Sequence, residues 1–404
     1  MGRSVSSEGV SKESRSKVQQ KIRIGMDAKR AFCNFRGLGN YSRLLVEGLL
    51  AWGGDGVDLA LFTPQKSLPE YQNWPSGAVR TVQPKGLLAL WPELWRGYGQ
   101  VRDWKRMGLD IYHGLSHELP WRFGASSGKT KTLVTIHDLI FLRHPELYPT
   151  LDRQIYRKKV VHACAVADSV IAISEQTKSD LMEFLQVPEN RITVLYQAVH
   201  PRYYKKEVQG QTSELKDPKI AGPYFLFVGA FEERKNILRL LRAFSLIHKR
   251  VDEKLVLVGR GGMQRALEEQ IRLLGLEERV LIFSKVGSEE LPRLYQLATG
   301  VVYPSLFEGF GLPIVEALMS ETLVLTSKGS CFPEAGGPSA FYVDPLSEDE
   351  LAQKMFEMAK LPSLDRALRL QMGLEHAQKF HWKSTTENLI GHYRRVLEAP
   401  KRKV

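Results

Sequence analysis

The sequence predicts an α/β protein built from two Rossmann-like domains. Length is the first reason, because 404 residues exceed one ordinary core and suit two domains of common size. Rhythm is the second. Short apolar runs alternate with stretches of helical apolar spacing, which is the pattern of parallel sheets covered by helices. The third is an interruption: residues 198–222 (AVHPRYYKKEVQGQTSELKDPKIAG) are polar, charged and aperiodic, and they separate two such series.

In order, residues 21–27 (KIRIGMD) read as an opening buried strand, and 40–52 as a helix with apolar spacing at Leu44, Leu45, Leu49 and Leu50. Strands follow at 57–63, 109–114, 131–138, 168–174 and 191–197, with a helix near 151–167. The second series is more regular. Its strands lie at 224–230, 254–260, 280–286, 300–305 and 322–327, and its helices at 236–250, 263–274, 289–298 and near 313–320. A last helix at 384–398 follows FHW (380–382) and is placed to leave the second domain and pack on the first. The expected organisation is a disordered tail at 1–20, a first domain at 21–205 that takes back the terminal stretch 384–404, and a second domain at 206–383.

Composition narrows the class. Apolar residues make up 43% and charged residues 25%, enough for two cores. Cys33, Cys164 and Cys331 stand far apart without pairing or metal-ligand spacing, which fits a reducing cytoplasm and gives no zinc site. No apolar run reaches the roughly 18–20 residues that span a bilayer, and the N-terminus lacks a signal core, so a cytoplasmic location is expected. Gly2 and Ser6 match a myristoylation pattern that is short enough to arise often by chance. The net charge of +12 is concentrated early: residues 1–220 hold 32 Lys/Arg against 22 Asp/Glu, and the remainder 25 against 23. A nucleic acid, an anionic membrane, an acidic substrate or a plainly basic surface each accounts for such a surplus. Without an aromatic-basic recognition module, nucleic acid is not expected as a partner. Residues 86–108 (GLLALWPELWRGYGQVRDWKRMG) carry three tryptophans among basic residues. They fit either an interfacial segment that meets a membrane and a lipid-linked acceptor, or a helix packed into the first domain.

Open α/β sheets bind ligands beyond the carboxyl ends of their strands, so those loops were read for chemistry. After the first strand, FRGLGNYSRLL (35–45) offers Gly37 and Gly39 for a tight turn and a close backbone approach, ahead of a helix whose amides suit an anion. His137-Asp138 ends a buried strand. The histidine either contacts a substrate hydroxyl or sugar oxygen, or is satisfied within the fold. Past Gly229, Arg234 and Lys235 precede a helix that begins near Asn236, where two cations would neutralise a pyrophosphate. LVLVGRGG (255–262) is a strand and Gly-rich turn that does not complete a dinucleotide fingerprint. The most informative stretch is YPSLFEGFGLPIVEAL (303–318). It sets Glu308 in a Gly-rich loop, Pro313 at a first helical position and Glu316 about one turn further. Amides near Phe310, Gly311 and Leu312 would face an anion, and two carboxylates suit the hydroxyls of a sugar and a ribose.

Taken together, these residues resemble the family-4 retaining glycosyltransferases of the GT-B fold. The resemblance is carried by EGFGLPIVE (308–316) and supported by VGAFEERKN, YHGLSHELP, TIHDL, IAISEQTKSDL, RGLGNY and PEAGG; it runs from about residue 21 to 398. It implies two Rossmann-like domains that face each other across a cleft, an acceptor domain at 21–205 and a nucleotide-sugar donor domain at 206–383, with Glu316 binding the nucleotide ribose and Glu308 facing the donor sugar near the reacting carbon. Arg234 and Lys235 would hold the diphosphate with amides at Gly39 and Gly311, and His137 would contact the sugar. Ala230 stands where many relatives carry arginine, so Arg234 is expected to supply that cation. The implied reaction moves a hexose-type sugar from a nucleotide sugar to a glycan or lipid-linked acceptor. No cofactor is expected, and no metal, since no Asp-x-Asp pair is present. The alternatives are a GT-B sugar-nucleotide epimerase or phosphorylase and, more remotely, a nucleic-acid-binding protein.

Overall fold

The structure is a computed structural model that describes residues 21–34, 37–64, 79–121, 129–204, 220 and 222–400. The expected tail with its Gly2–Ser6 pattern, Phe35 and Arg36 of the first Gly-rich loop, and the expected 205/206 boundary lie outside the described residues.

The first sheet contains β1 (Ile22–Asp27), β2 (Val57–Phe62), β3 (Val79–Val82), β4 (Ile111–Gly114), β5 (Lys131–Ile136), β6 (Ser169–Ala172) and β7 (Ile192–Val194). The second contains β8 (Tyr224–Val228), β9 (Lys254–Val258), β10 (Val280–Phe283), β11 (Gly300–Tyr303), β12 (Val324–Ser327) and β13 (Phe341–Val343). Their orders are β3-β2-β1-β4-β5-β6-β7 and β10-β9-β8-β11-β12-β13, and the pairings are parallel. Chain order therefore reverses direction between β1 and β4 in one sheet and between β8 and β11 in the other. At such a switch the loops from neighbouring strands part to opposite faces and leave a crevice.

Central strands are buried along their whole length because helices cover both faces, as in KTLVTI of β5. The helix Ile237–Ser245 shows how that cover is encoded. Ile237, Leu240, Leu241 and Phe244 form one buried stripe on the second sheet. Two short strands, β3 and β13, and the helices Glu348–Ala359 and Ser363–Ala377 carry too weak a pattern to be read from sequence alone.

The terminal helix Trp382–Glu398 packs on the first domain. Leu389, Ile390, Tyr393 and Val396 join its core, and the Trp382 indole donates to the Leu44 carbonyl at 2.9 Å. Tyr393 OH meets His113 Nδ1 at 2.8 Å, and His113 Nε2 meets Thr135 Oγ1 at 2.8 Å. Burial and the neighbouring His392 and His137 push the His113 imidazole down to about 3, so it stays neutral.

Three local expectations are corrected. A short helix, Lys29–Cys33, comes first, and the helix expected at 40–52 runs from Gly37 to Trp52, so Gly37 and Gly39 lie in its opening turn and not in a loop. A Cβ on Gly39 would collide with the Asn34 carbonyl, so this glycine is explained by helix packing. The start of the supposed linker is core, with Val199 and Tyr203 buried. The tryptophan segment divides: Trp95 and Trp104 are core, whereas Leu87, Leu90, Trp91 and Leu94 are 77%, 69%, 56% and 53% exposed. Among the described residues, no helix is long and apolar enough to cross a membrane.

Replacing Tyr393 by Phe strips a buried imidazole of one partner, which costs about 1–3 kcal/mol. Urea unfolding of Tyr393→Phe is expected to show that loss; an unchanged midpoint would remove this contact as the anchor of the terminal helix.

Candidate active site

Beyond β8 the chain turns through Glu233–Lys235, and Asn236 then adopts a left-handed conformation (φ 60°) before the next helix. Its side-chain amide donates to the carbonyls of Pro304 (3.0 Å) and Pro345 (2.7 Å), tying the turn to the loop that follows β11. Since β8 and β11 are neighbours at the switch point, Arg234 and Lys235 meet Glu308. Arg234 NH1 lies 2.6 Å from Glu308 Oε2 and Lys235 Nζ 2.5 Å from Oε1. Tyr303, the last residue of β11, places its hydroxyl 3.1 Å from Oε1 and 2.5 Å from Nζ.

Burial alone would raise the Glu308 carboxyl, but Lys235 and Arg234 outweigh it and hold the group at about 2. Burial lowers Lys235, and Glu308 restores part of that. The cluster is thus a carboxylate clamped by two cations, and Arg234 also reaches Glu232 Oε2 at 3.4 Å, so the two cations are matched by two carboxylates. Tyr303 was quoted in the sequence but given no role there. Its signal was position, at the carboxyl end of the strand beside β8.

Glu316 belongs to a different set of contacts. It sits on the helix Leu312–Met319, which Gly311 (φ 99°) opens and Pro313 begins. Tyr295 OH donates to its Oε2 at 2.9 Å, Tyr203 adds a second hydrogen bond, and burial raises the carboxyl to about 7. With Leu312 it lines a cavity of about 160 Å³ that Tyr41, Gln197 and Trp382 also line. Phe310 packs its ring among Tyr196 and Phe380, so only its backbone is open to a ligand role. The structure therefore joins Arg234, Lys235 and Glu308 and sets Glu316, one turn into the next helix, with two tyrosines. Gly229 ends β8 with its amide bonded to Val258 O.

His137 follows β5 as its strand position required. A carbonyl can only accept, so Nε2 carries the proton and donates to Leu115 O (2.8 Å), while Nδ1 accepts from the Gln197 amide (2.9 Å). Burial lowers the ring to about 3. Both nitrogens are engaged within the protein, so this structure shows the histidine satisfied within the fold. His117, missed in sequence, stacks on it at 5.3 Å and accepts from its backbone N–H at 3.0 Å.

The two domains meet at Gly309. A Cβ there would collide with the His137 carbonyl, and the Gly309 carbonyl accepts from Ser174 Oγ at 2.6 Å. Nearby, both oxygens of Glu334, in the PEAGG stretch, accept from the Glu175 amide at 2.7 and 2.8 Å. The loop that carries Glu308 is thus also the contact between domains.

Two parallel, doubly wound sheets, joined where the loop that carries Glu308 meets the first domain, make the GT-B fold of glycosyltransferases. Comparison with known proteins agrees. The profile described as Glycosyltransferase Family 4 matches residues 35–203, and that described as Glycosyl transferases group 1 matches residues 213–373. The chain is 30% identical over 299 residues to O-antigen chain mannosyltransferase B of Escherichia coli, covering 73% of this chain and 76% of that protein. It is 27% identical over 301 residues to the Escherichia coli serotype-specific mannosyltransferase WbdA, spanning 72% of this chain and 37% of that longer protein. Among solved structures, a glycosyltransferase from Rickettsia africae ESF-5 superposes with a TM-score of 0.71 at 18% identity, covering 94% of this chain and all of the other. The chain belongs to glycosyltransferase family 4.

The depressed Glu308 carboxyl fixes a sign. Its contribution to stability is complete above its ordinary value of 4.5 and is lost as pH falls from there to about 2. The difference in urea stability between wild type and Glu308→Gln is therefore expected to shrink over that window, and a difference independent of pH would contradict the clamp.

Proposed function

We propose that this glycosyltransferase is a retaining, metal-independent enzyme that moves a hexose-type sugar from a nucleoside-diphosphate sugar to a glycan or lipid-linked acceptor in surface polysaccharide or glycoconjugate synthesis. The convergence of Arg234 and Lys235 on Glu308 at the β8–β11 switch carries this reading. A diphosphate at that crevice would take up the two cations, which neutralise the charge that grows on the leaving phosphate and so do a metal's electrostatic work. Amides at Gly311 and Leu312 open a helix toward the same group, and Glu316 suits the ribose hydroxyls. The names of the two relatives above make mannose the first sugar to try.

For retention, the acceptor hydroxyl attacks the sugar carbon from the face the diphosphate leaves. The bond from that carbon to the phosphate oxygen breaks, and the departing oxygen takes the acceptor's proton. The alternative is a glycosyl-enzyme intermediate on a carboxylate. Glu308, with each oxygen held by a cation and its carboxyl at about 2, is a weak nucleophile, which supports the first route.

Glu308→Ala and Lys235→Ala are each expected to lower transfer at least about 10²-fold while circular dichroism stays native. A thermal-shift panel of UDP-, GDP-, ADP- and dTDP-sugars identifies the donor, because a ligand bound only by the folded state raises the melting temperature. Near-normal turnover in both variants, or no shift with any nucleotide sugar, would overturn the reading.

We further place the enzyme in the cytoplasm, touching the inner face of an anionic membrane through Leu87, Leu90, Trp91 and Leu94. These side chains are exposed together and lie within the basic half of the chain. The protein is expected to sediment with vesicles containing phosphatidylglycerol, and the Leu90→Glu/Trp91→Glu double variant to stay in solution. Equal sedimentation of the two would rule this surface out.

A further inference from the structure

Glu308 is gripped by cations of its own domain, but the residues on either side of it are held by the other one. Phe307 and Gly309 flank the carboxylate, and a single helix of the first domain, Glu175–Leu185, reaches both. On the Phe307 side, Asp180 and Glu183 of that helix hold the Arg143 guanidinium at 2.7 and 2.6 Å. The guanidinium in turn lies 5.7 Å from the centre of the Phe307 ring, within cation–π range, and the His144 ring stands 5.3 Å from it.

On the Gly309 side the helix begins with Ser174, a fully buried residue whose oxygen accepts from the Thr177 amide at 3.0 Å. Capping a helix uses only that oxygen, which leaves the hydroxyl proton for another partner. Of the two acceptors within reach, Gly309 O at 2.6 Å is nearer than Thr177 Oγ1 at 3.0 Å, so the proton crosses to the second domain. The next amide, that of Glu175, goes to Glu334 of the second domain and meets both of its oxygens. A carboxylate there also faces the positive end of the helix dipole.

Three contacts thus leave one rigid element and cross the junction together. If the domains part, the Ser174 proton, the Glu334 carboxylate and the Phe307 ring lose their partners in the same movement. When they meet, Phe307 and Gly309 are both fixed, and the backbone of Glu308 between them is fixed as well. None of the gripping residues belongs to the cation cluster or to the set around Glu316. Their effect is on where Glu308 stands relative to the first domain, and a displacement of about 1 Å from a residue remote from the chemistry can cost on the order of 10²-fold in rate.

We propose that the helix Glu175–Leu185 is a clasp for the reaction: through Ser174, its first amide and Arg143 it grips Gly309, Glu334 and Phe307 and sets Glu308 in register with the first domain. Ser174 and Glu334 are then positioning residues for transfer, with no part in holding the nucleotide sugar. This rests on the glycosyl-transfer reading and adds the device that couples closure of the domains to it.

The test uses the whole protein and the nucleotide sugar that raises its melting temperature most, with methyl α-mannoside or water as acceptor and release of nucleoside diphosphate as the readout. Ser174→Gly and Ser174→Ala both delete the hydroxyl that crosses the junction, but glycine caps a helix almost as well as serine, whereas alanine caps poorly. The clasp predicts that both lower kcat at least about tenfold while the donor KM stays within about threefold of wild type. A role confined to the helix predicts loss in Ser174→Ala alone and overturns the proposal. Glu334→Ala is expected to lower kcat to a similar extent. Glu334 is only half-buried, so this variant decides the matter if the serine variants fail to fold. By small-angle scattering with the nucleotide sugar present, Glu334→Ala should have a larger radius of gyration than wild type. The melting shift with that sugar should be the same in all of them. Wild-type kcat in Ser174→Gly and Glu334→Ala, or equal radii, overturns the proposal and leaves the donor site standing. Loss of the melting shift in a folded variant overturns it too, because these residues would then belong to the donor site. If no nucleotide sugar shifts wild type, it is the transfer reading itself that fails.

Discussion

A buried carboxylate must be matched, and the architecture of the second domain follows from matching Glu308. Leaving such a charge unpaired costs several kcal/mol, so the loop after β11 and the turn after β8 cannot move independently. Asn236 serves the same constraint through the backbone. Its left-handed conformation and its two bonds to Pro304 and Pro345 hold the turn where Arg234 and Lys235 reach the carboxylate. Tyr303 then closes the remaining side of the cluster. The two cations are thereby oriented in advance at the switch point, and the diphosphate of the proposed donor would compete with Glu308 and Glu232 for them.

That loop also carries the junction between domains, so the state of the site and the relative position of the domains are mechanically linked. Gly309 lies against the His137 carbonyl, and its own carbonyl accepts from Ser174. Ser174 caps the helix Glu175–Leu185, whose first amide is held by Glu334 from the opposite domain. Partial burial raises the Glu334 carboxyl to about 7, so part of this junction is titratable near neutrality. His137 makes sense here as a post. With both nitrogens bonded and its ring packed between Tyr41 and His117, it presents a rigid carbonyl to Gly309.

Sequence reading reached the strands that alternate cleanly and the motif residues beyond them, since both signals are local. Arg234, Lys235 and Glu308 were found because charged residues in Gly-rich loops after buried strands have no structural need to be there. What escaped was whatever depended on a distant partner. Nothing near His137 announces that Leu115 and Gln197 will occupy its ring, and nothing near Gly39 announces the Asn34 carbonyl. The short β3 lies at a sheet edge and lacks a buried pattern to reveal it. The tryptophan segment was open to two readings because each is right for one half: composition shows amphipathic character, but only packing decides which tryptophans it hides.

The same dependence on partners separates the two glutamates of the motif. They lie eight residues apart in a single sequence pattern, one in the loop and one on the helix, yet their carboxyls are held at about 2 and about 7. Glu308 stands among cations and stays ionised at any physiological pH. Glu316 has tyrosine hydroxyls for company, which stabilise its charge less than burial opposes it. An ionised carboxylate only accepts, whereas a protonated one also donates. Glu308 is therefore a fixed charge beside two cations, and Glu316 is a hydrogen-bonding group that can both accept and donate near neutrality. A pattern that looks symmetrical in sequence becomes a division of labour through what the fold places around each member.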